Sequence, residues 1–162
     1  MVSRAERDLV LGELEATPLF GRAMRHLAMR LLSGLKGYHW CGVYRLEGDT
    51  LVLDEYVGAE TDHTRIAVGQ GVCGTAVAEG RNQIVADVGK LENYLACSAD
   101  TKSEIVVLIR RDGKVVGQID VDGHEPGAFD VSDEELLEEV ARHLASCWEE
   151  DEAGCKLARE LG

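Results

Sequence analysis

The sequence predicts an α+β fold, a central antiparallel sheet with its terminal helices packed on one face. Three observations predict it. Apolar residues near both ends recur at helical spacing, while the middle of the chain changes to a period of two. In the second half, Asp112-Gly113 separates two alternating runs, a strong signal for a two-residue hairpin. With 162 residues, 45% of them hydrophobic, the chain suffices for one domain with one core. The expected division is helices over 1–36, the sheet, pocket and closing helix over 38–150, and a tail over 151–162.

Each element has its own signal. Ser3 and Glu6 form a capping-box pattern that starts a first helix. Thr17-Pro18 interrupts it and restarts a second, with Pro18 expected at the first helical position. Leu19, Ala23, Leu27, Leu31 and Leu35, joined by Met24, Ala28 and Leu32, predict its apolar face, and Gly34 and Gly37 end it. From Tyr38 the alternation Tyr38, Trp40, Gly42, Tyr44, Leu46 predicts a strand with those residues on one face, and Glu47-Gly48-Asp49 turns it into a second over 51–57. A short strand over 65–68, a short helix over 72–79 ended by Gly80, and a strand over 83–85 follow. Residues 89–102 read as a long irregular loop, and 104–110 and 114–122 as the Asp-Gly hairpin. Ser132 and Glu135 predict the cap of a last helix within 129–150, whose buried face is Leu137, Val140, Ala141, Leu144 and Trp148. With the helices on one sheet face, the crossover segments cover the other, and a pocket forms between them.

Composition excludes several functions. A formal net charge of −13 repels phosphate backbones and anionic lipid surfaces, so neither nucleic acid nor membrane is an expected partner. No apolar run reaches the ~18 residues of a membrane span, and the charged start, from Ser3 onward, carries no apolar signal segment, which predicts a cytoplasmic protein. The five cysteines, Cys41, Cys73, Cys97, Cys147 and Cys155, form no C-x-x-C pair, so neither a disulfide framework nor a zinc site is expected. Gly69-Gln70-Gly71 lacks the lysine and serine of a phosphate-binding loop.

Strand parity singles out the chemistry. Ile105, Val107 and Ile109 point one way and Glu104, Val106 and Leu108 the other; Val115, Ile119 and Val121 share one face and Gln118, Asp120 and Asp122 the opposite one. A hairpin joined at Asp112-Gly113 brings Glu104 near Asp120 and Asp122, and three carboxylates so placed call for protons, a cation or an ammonium group. A solvated acidic face is the plain alternative. Trp40 and Tyr44 share a strand face, as core residues also do. Cys73, in Gly-Val-Cys-Gly-Thr-Ala at a helix start, is placed where the thiolate is favoured; Cys97 lies in the irregular loop, within Tyr-Leu-Ala-Cys-Ser-Ala-Asp. Cys41 is expected in the core, and Cys147 and Cys155 carry no assigned role. Spacing alone leaves open which thiol would attack, and the helix terminus favours Cys73 as the more acidic one.

The segments 69–76, Leu95-Ala96-Cys97, Ser103-Glu104-Ile105-Val106 and Ile119-Asp120-Val121-Asp122, in this order, resemble the free methionine-(R)-sulfoxide reductases, enzymes built on a GAF domain. The resemblance runs from about Tyr38 to the closing helix. It implies a GAF-like fold, Cys97 as the thiol that attacks the sulfoxide sulfur, Glu104, Asp120 and Asp122 as substrate-binding acids, and Trp40 and Tyr44 as the lining of the methyl-thioether pocket. It further implies catalysis without metal or organic cofactor, with a thioredoxin-like reductant. Two positions depart from the pattern: His63 stands where many members have a resolving cysteine, and Ser98 where many have aspartate. The chain thus resembles a subgroup in which the residue matching Cys73 resolves. Competing expectations are a non-catalytic GAF sensor and a scaffold that forms a homodimer through its terminal helices.

Overall fold

The computed structural model describes residues 1–92, 94 and 99–150. The described elements run in the order α1 (Arg4–Ala16), α2 (Gly21–Ser33), β1 (Trp40–Glu47), β2 (Thr50–Val57), β3 (Arg65–Ala67), α3 (Gly71–Glu79), β4 (Gln83–Val85), β5 (Ser103–Arg111), β6 (Lys114–Gly123) and α4 (Val131–Ser146), with a 3-10 turn at Val88–Lys90. The strands form one antiparallel sheet in the order β3-β2-β1-β6-β5-β4. The two predicted hairpins therefore meet at the centre, where β1 pairs with β6. Asp112 and Gly113 both take positive φ, 52° and 78°, as the two-residue turn between β5 and β6 requires.

Alternation sorts the three central strands. Cys41, Val43, Ile105, Val107, Ile109, Ile119 and Val121 face the helices, meeting Met24, Ala28 and Leu32 of α2 and Leu136, Leu137, Val140 and Leu144 of α4 in one core. Burying each large aliphatic side chain contributes about 1.5–3 kcal/mol. A second, smaller cluster on the opposite face joins Trp40, Tyr44, Val106 and Leu108 to Val72, Cys73 and Ala76 of α3 and to Leu51 and Ile66. The expected arrangement, helices on one face and crossover segments on the other, is the one observed.

Local expectations fail in instructive places. α2 begins at Gly21 with Phe20 as N-cap, three residues beyond Pro18, and its buried stripe is Met24, Arg25, Ala28, Met29 and Leu32, while Ala23 is exposed and Leu19 is 37% exposed. Arg25 rotates the stripe: its guanidinium bonds Asp54 at 2.5 Å and the Trp148 carbonyl at 2.7 Å and lies over the Trp148 ring, so a charged residue occupies a core-facing position. The closing helix is shorter than predicted and is capped by Asp130 and Asp133 instead of Ser132 and Glu135. Asp133 is fully buried and also accepts from Tyr38 Oη at 2.7 Å, which draws Tyr38 into the helix-side core, away from the face of Trp40. Val115 packs with the second cluster and not with Ile119 and Val121. A bulge between Ile109 and Arg110 shifts the register by one residue, and one residue exchanges the faces.

Candidate active site

Register decides which side chains meet. Across β1, β6 and β5, Trp40 opposes Asp122, which opposes Glu104; Gly42 opposes Asp120, which opposes Val106; Tyr44 opposes Gln118, which opposes Leu108. Directly opposed residues on one face have Cβ atoms about 4.5–5.5 Å apart. The three acids predicted to converge do so, and all three are buried, at 2% exposure or less. A solvated acidic face is thereby excluded. Gly42 matters because the Trp40 ring packs against it; any Cβ there would collide with the ring. The indole Nε1 donates to the Ala59 carbonyl at 3.0 Å, and Tyr44 Oη donates to the carbonyl of His63 at 2.8 Å.

Cys73 reaches this floor from above. It lies in the first turn of α3, buried, with Sγ 3.8 Å from Glu104 Oε1. Ligand atoms of Cys73, Glu104 and Asp120 all lie within 4.8 Å of one another, a set of donors that could hold a cation as well as an ammonium group. A small cavity of about 120 Å³ lies between the start of α3 and β4, lined by Gly71, Val72, Thr75, Gln83, Val85 and Leu91. A larger cleft, about 660 Å³, lies between α1 and α4 and is lined by residues such as Arg4, Arg7, Glu135 and Glu139. It contains neither thiol nor buried acid, and its paired charges belong to a helix–helix groove. Cys97 and Ser98 lie outside the described residues, as does Cys155. Cys41 is in the helix-side core as expected, and His39, two residues before it, stacks on His124 at 3.9 Å between ring centroids.

Charge is tightly constrained here. Burial, and after it the charges of Asp120 and Asp122, hold the Glu104 carboxyl well above the ordinary carboxylate range. Burial pushes the Tyr94 phenol up, with the charges of Glu104 and Asp122 adding to it, so this loop residue belongs to the same electrostatic neighbourhood. The Cys41 thiol, beneath the same acids on the other face, is raised by burial first and then by Asp120 and Asp122.

Two residues around this site escaped assignment from sequence. Gln118 is fully buried, yet neither its Oε1 nor its Nε2 has a hydrogen-bond partner. Its parity was legible beside Asp120 and Asp122, but an amide carries no charge to mark it. Tyr94 sits in an irregular loop, where no periodicity points a side chain anywhere.

Among the described residues, no helix is long and apolar enough to cross a membrane. A GAF domain family model matches residues 13–149. The chain is 39% identical over 131 residues to the free methionine-R-sulfoxide reductase of Saccharomyces cerevisiae, a match that spans 78% of this chain and 68% of the yeast protein. Among solved structures, it resembles the type II free methionine-R-sulfoxide reductase from Thermoplasma acidophilum, with 33% identity and a TM-score of 0.76 over 88% of this chain and 94% of that one. The free methionine-R-sulfoxide reductase from Neisseria meningitidis, solved in complex with its substrate, matches at 28% identity and a TM-score of 0.82, over 98% of this chain and 96% of that one.

Proposed function

The chain belongs to the GAF domain family and, within it, to the free methionine-R-sulfoxide reductases, and we propose that it reduces free L-methionine (R)-sulfoxide to methionine with Cys97 and Cys73 as its redox pair. The observation that carries the site assignment is the buried row of Glu104 and Asp122, with Asp120 beside it and the Cys73 thiol 3.8 Å from Glu104.

Cys97, as thiolate, attacks the sulfoxide sulfur. Glu104 retains a proton that ordinary carboxylates lose, which suits a general acid for the sulfoxide oxygen. Asp120 and Asp122 take the substrate ammonium, and Trp40 and Tyr44 line the space for the methyl-thioether group. A methionine within a peptide has no ammonium at its own nitrogen, which explains selection of the free amino acid. In balance, the oxygen passes from the substrate sulfur to Cys97, methionine leaves, and Cys97 becomes a sulfenic acid. Cys73 condenses with it, forming a disulfide and releasing the oxygen as water. A thioredoxin-like reductant restores both thiols by exchange. Cys73 takes the resolving role because His63 occupies the position where a resolving cysteine is otherwise expected.

The test is methionine formation from free methionine-R-sulfoxide with dithiothreitol. Wild type turns over, and Cys97→Ser loses at least about a thousandfold in rate. In a single turnover without reductant, Cys73→Ser still yields up to one methionine per chain. Product from Cys97→Ser and none from Cys73→Ser would reverse the two roles, and no turnover by wild type would end the reductase reading.

A further inference from the structure

The reaction scheme leaves one buried polar side chain of the floor without a task. Gln118 has no exposed surface, and both its donor and its acceptor lack a partner. Buried polar groups in native proteins are hydrogen-bonded with few exceptions, so an amide with both ends waiting points to a ligand that brings a donor and an acceptor together. Its place is set by register. Gln118 lies two residues, roughly 7 Å, along β6 from Asp120, between Tyr44 of β1 and Leu108 of β5. The Glu104–Asp122 row, where the sulfoxide oxygen receives its proton, lies twice as far along the strand.

The neighbouring groups narrow the ligand chemistry. The Trp40 and Tyr44 donors are already engaged by the carbonyls of Ala59 and His63. The other polar groups on the three central strands of this floor are the carboxyls of Glu104, Asp120 and Asp122, and the charges of the two aspartates repel an entering carboxylate. A sulfoxide oxygen is an acceptor only and would leave Oε1 unsatisfied. The head of a free amino acid carries an ammonium and a carboxylate on the same carbon and satisfies both ends of the amide.

We infer that Gln118 is a further substrate-contacting residue that recognises the zwitterionic head of a free amino acid, its Oε1 accepting from the ammonium alongside Asp120 and its Nε2 donating to the α-carboxylate. This deepens the reductase reading and rests on it. Gln118 adds a second reason why a peptide-bound methionine sulfoxide is refused, since such a residue lacks both charges.

Gln118→Leu tests it, because leucine fills similar space without polar atoms. Binding of methionine to the reduced protein, followed by calorimetry, needs no turnover and reports the head group without the sulfoxide oxygen. The variant should weaken methionine binding about tenfold or more and raise KM for the sulfoxide by a similar factor, with kcat within about threefold. Its melting temperature without ligand should equal or exceed that of wild type, since two orphaned buried groups are removed. Gln118→Met, unbranched, repeats the measurement if the leucine variant melts lower. Weaker binding of the sulfoxide with methionine unaffected would overturn the head-group assignment, and unchanged affinity for both would overturn any contact. Tight methionine binding by wild type without sulfoxide turnover would remove the reductase reading while the Gln118 comparison is still read.

Discussion

The two faces of the central sheet are made from alternate residues of the same three strands, yet they carry opposite chemistry. Toward the helices, β1, β5 and β6 present Cys41, Val43, Ile105, Val107, Ile109, Ile119 and Val121, all fully buried among aliphatic partners. Toward α3 they present Trp40, Tyr44, Glu104, Gln118, Asp120 and Asp122, equally buried. Burial therefore does not separate a core from a site here; the polar groups placed under that burial do. One face lowers the free energy of folding through apolar contact. The other combines apolar contact around Trp40, Tyr44, Val106 and Leu108 with acids and an orphaned amide held out of water, a cost that substrate contacts can offset. Among the described residues, the buried thiols of Cys41 and Cys73 show the same division. Cys41 faces only the apolar core and is a small hydrophobe whose thiol is held protonated by burial. Cys73 stands at a helix start within reach of Glu104.

Substitutions on the two faces should separate activity from stability. The largest effect is expected for Glu104→Gln, with kcat for methionine sulfoxide falling about 10²- to 10⁴-fold through loss of the proposed general acid. Retained full activity would move the proton donation to another group. Next is Ile109→Ala on the helix side, expected to destabilise by about 2–5 kcal/mol in urea unfolding, with KM unchanged where the protein remains folded. A comparable loss of substrate affinity would show that the faces are coupled.

A smaller, pH-dependent effect should distinguish them too. Because the folded Glu104 pKa is raised, this group's contribution to stability is fully present below its unfolded pKa and is lost as pH rises toward the folded value. Wild type should thus lose stability relative to Glu104→Gln as pH increases from about 5 to 8, with a slope of at most about 1.4 kcal/mol per pH unit for one proton. Parallel pH profiles in urea unfolding would contradict the buried proton. The smallest effect is expected for Cys41→Ala, about 1 kcal/mol in stability with turnover within about twofold, measured by the same two assays.

Much of this was legible residue by residue. Period-two alternation over 104–110 and 114–122, pinned by Asp112-Gly113, was enough to bring Glu104 near Asp120 and Asp122, because a tight turn sets the register and register sets the face. Parity failed at Val115, where a bulge inserts a residue that no local pattern announces. It failed at Tyr38 because a distant buried acid, Asp133, captures its hydroxyl. The helix starts went astray for a similar reason: Pro18 and Ser132 are sound local signals, but the Arg25 network and the Asp130–Asp133 capping box set where α2 packs and where α4 begins.

The sequence by itself determined the alternation of helix and strand, the position of the hairpins, the pairing of Glu104 with the aspartates, and the helix-start setting of Cys73, because these depend on neighbours a few residues apart or joined by a two-residue turn. Only the tertiary structure decided that the acids are fully buried, that the Cys73 thiol lies against Glu104, that the Trp40 ring packs against Gly42, and that Gln118 is left with an unanswered donor and acceptor. Those facts depend on β1 pairing with β6 across nearly half the chain and on α3 closing over the sheet. Burial is a property of the assembled layers, so no stretch of sequence carries it alone.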